Sequence, residues 1–191
     1  MYKLQRKLLS QNFLYSRKLV SKLVGSSSIA KNDLCLEIGP GKGIITQQLV
    51  KQAGRVIAIE LDSQLFAQLK TNFRYVDNLA VYHQNFLNFQ LPKTTYKVFA
   101  NIPFAIEGQI IRKLIDNSNP PDDCYLVLNK QLANRLVANF KENLFSIIHK
   151  PFFGFEICYQ FKKTDFAPMT SVDTVLFRFT KKTKSFNFQS E

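Results

Sequence analysis

The sequence predicts an α/β fold: a doubly wound, mostly parallel sheet with helices on both faces and an antiparallel hairpin at one edge. Three observations carry that expectation. Short β-rich apolar runs alternate with stretches whose apolar residues recur at helical spacing, the pattern of strand–helix–strand units. The first of these runs ends in a glycine-rich turn that opens a helix. The last two β-rich runs have no clear helix between them, so they are expected to pair antiparallel at the edge.

The elements follow in order. Leu34–Ile38 is a short apolar run closed by the glycine turn, and Ile44–Gln52 reads as the helix after it. Arg55–Glu60 is β-rich, and Ser63–Phe73 returns to helical spacing. Leu79–His83 and Tyr96–Ala100 are further strands. Ile106–Ile115 is a helix whose Ile110, Ile111, Leu114 and Ile115 form an apolar face. Pro120 and Pro121 punctuate the chain before a strand at Cys124–Leu128, and Gln131–Phe140 reads as helix. Phe152–Phe161 and Ser171–Thr180 are the two late strands. There is no internal repeat and no low-complexity linker, so the reading is one domain over residues 1–180 with a polar tail over 181–191.

The 191 residues are 46% hydrophobic and 21% charged, ordinary for a globular protein. No apolar stretch approaches the ~18 residues a membrane span needs. Cys35, Cys124 and Cys158 lie far apart in apolar contexts with no CxxC, which argues against a disulfide framework or a zinc site. They are expected to be buried small hydrophobes in a reducing cytoplasm. The formal net charge of +12 points to a polyanionic partner, with nucleic acid the commonest. Lys3, Arg6, Lys7, Arg17 and Lys18 all precede the first acidic residue, Asp33, and are the candidate RNA-binding cations. A solvated basic face, a membrane-headgroup surface or a transit peptide would read the same way from charge alone.

The chemistry begins at Glu37–Gly43. Glycines directly after a strand let the backbone approach a ligand and present helix N-terminal amides, which makes Gly39 and Gly41 candidate cofactor contacts. The spacing is GxGxG rather than the GxGxxG of dinucleotide sites, because position 44 is isoleucine, and no GK[ST] follows. Glu60 ends the next strand, where a carboxylate can accept both hydroxyl hydrogens of a ribose. Asn85 follows the third strand, where an adenine-reading side chain would sit. Asn101, Ile102, Pro103 and Phe104 follow the fourth. The asparagine oxygen and a backbone carbonyl held by proline can accept from an NH2 group, and the phenyl ring offers a face for a flipped base, a contact worth ~1–3 kcal/mol.

With those residues in place the chain resembles the rRNA adenine N6-methyltransferases, most closely their erythromycin-resistance branch. The resemblance runs from Ser10 to Arg178 and rests on Ser10–Leu14, Glu37–Gly43, Ile59–Asp62, His83–Phe86, Asn101–Phe104 and Phe166–Pro168. It implies a Rossmann-like class I methyltransferase fold and S-adenosylmethionine as cofactor. It puts Asn12, Leu14, Gly39, Glu60, Asn85 and Asn101 around the cofactor, and Asn101, Ile102, Pro103, Phe104 and Phe166 around the target adenine. It also makes the basic N-terminus part of the domain. The chain departs from the family pattern in three ways. Asn85 replaces an aspartate, and Thr170 replaces a second proline, which is expected to loosen its loop. The resemblance also leads to the expectation of a small helical C-terminal domain, and the 191 residues stop right after the last strand.

The resemblance implies direct methyl transfer from sulfonium to adenine N6 in rRNA, with 23S rRNA and macrolide resistance as the branch-level expectation. Hydrogen bonds from N6 to Asn101 and the Ile102 carbonyl would favour a pyramidal, more nucleophilic nitrogen, and alignment would supply proximity. No metal is implied; His83 and His149 are isolated and expected to be structural or exposed. The chain is expected to act as a monomer away from membranes. Lys181, Lys182 and Lys184 form a second basic cluster, expected to flank the cofactor site together with the N-terminal cations. The nearest rival is the small-subunit rRNA adenine dimethyltransferase family, which usually reads NLPY and carries a glycine in the stretch matching Ala138–Ser146, where this chain has none. A non-catalytic nucleic-acid-binding module on the same fold is the rival from a different class, and a dehydrogenase would leave Asn101–Phe104 without a role.

Overall fold

The structure is a computed structural model in which residues 12–137 and 144–182 are described. The elements run in order β1 (Phe13–Leu14), α1 (Arg17–Gly25), β2 (Leu34–Ile38), α2 (Thr46–Gln52), β3 (Arg55–Glu60), α3 (Ser63–Asn72), β4 (Leu79–His83) and β5 (Lys97–Asn101). They continue with α4 (Glu107–Ile115), β6 (Asp123–Asn129), α5 (Lys130–Val137), α6 (Leu144–His149), β7 (Phe153–Gln160), β8 (Phe166–Ala167) and β9 (Thr174–Lys181). The seven-stranded sheet runs β4-β3-β2-β5-β6-β9-β7. Its first five strands are parallel, and β9 is antiparallel to both β6 and β7. The strand order reverses between β2 and β5, so a ligand crevice is expected outside their carboxyl ends.

Strand alternation builds a core on each face. On β6, Cys124, Leu126 and Leu128 join Ile110, Ile111 and Leu114 of α4, while Tyr125 and Val127 face α1 and α2 with Val20, Leu23 and Leu49. Helix starts are capped where the sequence offers an oxygen. Ser16 accepts from Leu19 N–H at 3.3 Å, and Asp62 accepts from Gln64 and Leu65 at 2.8 and 3.0 Å. At the amino ends of the strands, Asp123 is 4% exposed. It accepts from Ser28 Oγ at 2.5 Å and from Arg178 Nε and Nη2 at 2.9 and 2.8 Å. Burial pulls its carboxyl up, but these hydrogen bonds outweigh that and hold it below the usual aspartate value.

The expected strands are present within a residue or two, apart from a later start for β9. The expected edge pairing is also present, with one refinement: the last strand, β9, slots between β6 and β7, leaving β7 as the edge. Burial explains the order. Val175, Phe177 and Phe179 of β9 are fully buried, whereas Glu156, Ile157 and Cys158 of β7 are exposed. Cys158 sits at the irregularity between Ile157 and Tyr159, so the expectation of three buried cysteines holds only for Cys35 and Cys124. The basic cluster at Lys181 and Lys182 also lies elsewhere than expected. Thr180 pairs with Asp123 and Lys181 with Phe153, at the amino ends of the parallel strands and the opposite end of the sheet from Glu60 and Asn101. The antiparallel direction of β9 causes this, since it runs away from the crevice. Lys184 lies outside the described residues. No helix among the described residues is long and apolar enough to cross a membrane.

Candidate active site

The carboxyl ends of β2, β3 and β5 open into one cleft. The glycine turn forms its first wall. Gly39 N–H donates to the Ile59 carbonyl at 2.9 Å, which lashes the turn to β3. Glu60, 4% exposed, accepts from Gly41 N–H with Oε2 at 3.0 Å and from Asp62 N–H with Oε1 at 2.9 Å. Burial raises its carboxyl while these backbone donors pull it back. Each oxygen keeps a lone pair for a ribose hydroxyl. A Cβ at Gly39 would meet nothing within 4 Å, so the turn leaves open space against the backbone.

The second wall follows β4. Asn85 accepts from Leu87 N–H through Oδ1 at 2.9 Å and caps the short turn Phe86–Asn88. An aspartate would cap the same turn, which is why asparagine is accommodated here. Phe86 is 5% exposed and floors the cleft. Lys113 of α4 holds that turn from behind: its Nζ donates to the Leu87 carbonyl at 2.9 Å and stands 5.6 Å from the Phe86 ring centre.

The third wall carries Asn101. Its Nδ2 donates to the Asn12 carbonyl at 2.8 Å, which leaves Oδ1 as an acceptor. Pro103 and Phe104 line the cleft beside it, at the start of the turn Phe104–Ile106. The residues before α1 form a strap across the opening. Phe13 pairs with Ala167 and Leu14 with Phe166, and Phe13 lies so close over the glycine turn that a Cβ at Gly41 would stand 2.6 Å from its ring. Thr170, expected to loosen the following loop, instead tightens it: the side chain is buried and its oxygen accepts from Val172 N–H at 3.3 Å.

The cleft therefore gathers Asn12, Gly39, Gly41, Glu60, Asn85 and the segment Asn101–Phe104. It does not reach Leu14 or Phe166, which are 4% and 3% exposed. Their β1–β8 pairing turns both side chains into the core beside Phe161, so they support the strap from behind. Arg17 and Lys18 are exposed on the first turn of α1, while Lys3, Arg6 and Lys7 lie outside the described residues. His83 stacks on Phe66 and contacts the Leu61 carbonyl at 3.1 Å, and His149 contacts Asp116 at 3.1 Å; both are structural. Phe13, Gln84 and Ile110 also line the cleft, and none of them is among the candidate site residues of the sequence; Phe13 has a signal, its place beside Asn12 in Ser10–Leu14, and Ile110 reads only as core.

The family described as Ribosomal RNA adenine dimethylase matches residues 2–190. A Ureaplasma parvum protein named Ribosomal RNA small subunit methyltransferase A is 34% identical over 97% of this chain and 71% of its own length. A Bacillus licheniformis protein named rRNA adenine N-6-methyltransferase is 31% identical over 90% of this chain and 60% of its own length. Among solved structures, the dimethyladenosine transferase from Plasmodium falciparum superposes with a TM-score of 0.81 at 28% identity, over 89% of this chain and 63% of that one. The 23S rRNA methyltransferase ErmE superposes with a TM-score of 0.85 over 91% of this chain and 71% of that one; at 22% identity this concerns the fold.

Proposed function

The chain belongs to the ribosomal RNA adenine dimethylase family of S-adenosylmethionine-dependent rRNA adenine methyltransferases, and from that premise we propose that its cleft methylates N6 of a flipped rRNA adenine with Asn101 as the group that orients the amine. The observation that carries the reading is the Asn101 amide: Nδ2 is tied to the Asn12 carbonyl, which leaves Oδ1 of this cleft-lining residue as the acceptor. An N6–H donated to Oδ1 draws the amino lone pair out of conjugation with the ring. Phe104 supplies the stacking face for the base, and Pro103 fixes the approach of the backbone. The open turn at Gly39, the lone pairs of Glu60 and the Asn85–Phe86 wall fit the methionine, ribose and adenine portions of S-adenosylmethionine. The bound cofactor supplies an electrophilic methyl on sulfonium. The cleft's own contribution is to hold the amine in line and shed water.

Asn101→Ala tests this with tritiated S-adenosylmethionine and rRNA. Methyl transfer is expected to fall by at least about a hundredfold, in the range of losing one preorganised polar contact to the reacting group, while the melting temperature stays near that of the parent. Near-parental turnover would sink the reading. Phe104→Tyr keeps the stacking face and is expected to remain active, unlike Phe104→Ala.

Two readings of the substrate each have an observation behind them. Large-subunit 23S rRNA is favoured by phenylalanine at 104 and by the glycine-free stretch 138–146. Small-subunit rRNA is favoured by the Ureaplasma relative, matched over 97% of this chain. Incubation with each unmethylated subunit, followed by reverse-transcription mapping, separates them, and macrolide tolerance in expressing cells tracks only the first. Methyl incorporation into neither RNA would return the chain to the non-catalytic binding module.

A further inference from the structure

Lys42 is the one cation in the glycine turn, between Gly41 and Gly43, and its side chain is exposed. Both neighbours have φ in the left-handed region, 59° and 82°. Neither can change its path cheaply. A Cβ at Gly41 would stand 2.6 Å from the Phe13 ring, and one at Gly43 would stand 2.7 Å from Phe73. The lysine backbone is thus fixed from both sides. Its Nζ lies 5.4 Å from the Phe13 ring centre, and that ring lines the cleft that would hold the base. Among the described residues Lys42 makes no ion pair. An ammonium on an aromatic face keeps most of its charge available, because a cation–π contact at an exposed site is worth only ~0.5–1 kcal/mol and neutralises nothing.

We propose that Lys42, seated on the Phe13 ring at the mouth of the cleft, binds a backbone phosphate of the RNA strand that delivers the target adenine. The assignment rests on the reading that an adenine enters beside Asn101. A base swung out of its stack brings its own sugar and phosphates to the pocket rim, and an exposed cation on a fixed backbone, with no ion-pair partner among the described residues, is the complement of that charge. Phosphate contacts position a strand without reading its sequence, which suits a residue outside the base pocket. The anion has one alternative source, the carboxylate of the cofactor's methionine portion, which also lies near the glycine turn.

The experiment measures binding of a fluorescein-labelled, adenine-rich single-stranded oligoribonucleotide across a salt series, for the parent, Lys42→Ala, Lys42→Gln and Lys42→Arg. Calorimetry with S-adenosylhomocysteine and with 5′-methylthioadenosine, which lacks the amino-acid portion, accompanies it. Removing one phosphate contact is expected to lower the slope of log affinity against log salt by about 0.7. RNA affinity should drop roughly threefold to fivefold, the scale of an exposed ion pair. Arginine should restore both, and affinity for both nucleosides should be unchanged. An unchanged salt slope in Lys42→Ala and Lys42→Gln overturns the assignment. So does a loss of S-adenosylhomocysteine affinity with 5′-methylthioadenosine unaffected, which gives the lysine to the cofactor carboxylate. Failure of the underlying reading looks different: Asn101→Ala would then retain methyl transfer whatever Lys42 does.

Discussion

Both carboxylate oxygens of Glu37 and the hydroxyl of Thr46 are buried without a hydrogen-bond partner among the described residues, directly beneath the glycine turn that Glu37 precedes. Burial pushes the Glu37 carboxyl up from 4.5 to about 8, against a smaller downward pull from Thr46. The acid is therefore held protonated at neutral pH in the folded chain. A group whose folded pKa lies above its unfolded value favours the fold at low pH and loses that contribution as pH rises, here between 4.5 and about 8. The loss approaches ~1.4 kcal/mol per pH unit inside that window. Glu37→Gln carries no proton to lose, so its stability, followed by urea unfolding at several pH values, is expected to stay flatter than the parent's across this range. Parallel curves for the two proteins would show that Glu37 ionises freely when folded. Residue type and position made Asn101, Glu60 and Asn85 legible in the sequence, because Glu60 and Asn101 are polar residues closing apolar strands and Asn85 opens the turn just after one. Glu37 lies inside an apolar strand, where only the fold reveals how completely its carboxyl is shut away from water. Leu14 and Phe166 turn their side chains into the core because the strap's pairing decides which way they point, and a two-residue strand has no period to read.

At the scale of elements, the parallel strands were legible because burial on both faces demands continuous apolar runs between turn residues. Helix α1 was hidden within its basic context, although Ser16 and the apolar positions Val20, Leu23 and Val24 mark its cap and buried face. The β1–β8 ribbon could not be read, since its register comes from pairing between residues near opposite ends of the chain. The short turn Phe86–Asn88 likewise depends on a partner from another element. Lys113 reaches from α4 to the Leu87 carbonyl and covers the back of the Phe86 ring, and burial lowers its ammonium pKa. Lys113→Met keeps the apolar stem and removes the donor. It is expected to weaken S-adenosylhomocysteine binding roughly threefold to tenfold, the value of about 1 kcal/mol for a hydrogen bond to a charged group partly screened by solvent. RNA affinity measured without cofactor should stay the same, because α4 presents this side chain to the turn and not to the cleft. Equal losses in both titrations would mean that the variant has simply lost structure.

The whole molecule is polar along its strands, and that polarity divides its positive charges between two ends. The carboxyl ends of β2, β3 and β5 hold the cleft. The amino ends are closed by Asp123, Arg178, Glu156, Ser28 and Tyr125, a network whose charges are already paired. Helix α1 spans the two ends: its first turn follows the strap at Asn12–Leu14, and the segment after its last turn bonds Asp123 through Ser28. Arg17 and Lys18 therefore stand at the cleft end, exposed, whereas Lys181 and Lys182 stand at the far end beside Phe153. Composition gave only the sum, +12, and a sum cannot say which end carries the charge. If RNA approaches the cleft, Arg17→Ala with Lys18→Ala should weaken RNA binding and lower the log–log salt slope by about 0.7 for each phosphate no longer neutralised. Lys181→Ala with Lys182→Ala removes the same formal charge and should leave the slope within error of the parent. Screening makes the contrast sharp, since at physiological salt a charge acts over only ~8 Å. Long-range attraction by net charge alone would make the two double variants behave alike. Their equivalence would place RNA binding outside the cleft end, and with it the whole assignment of the N-terminal cations.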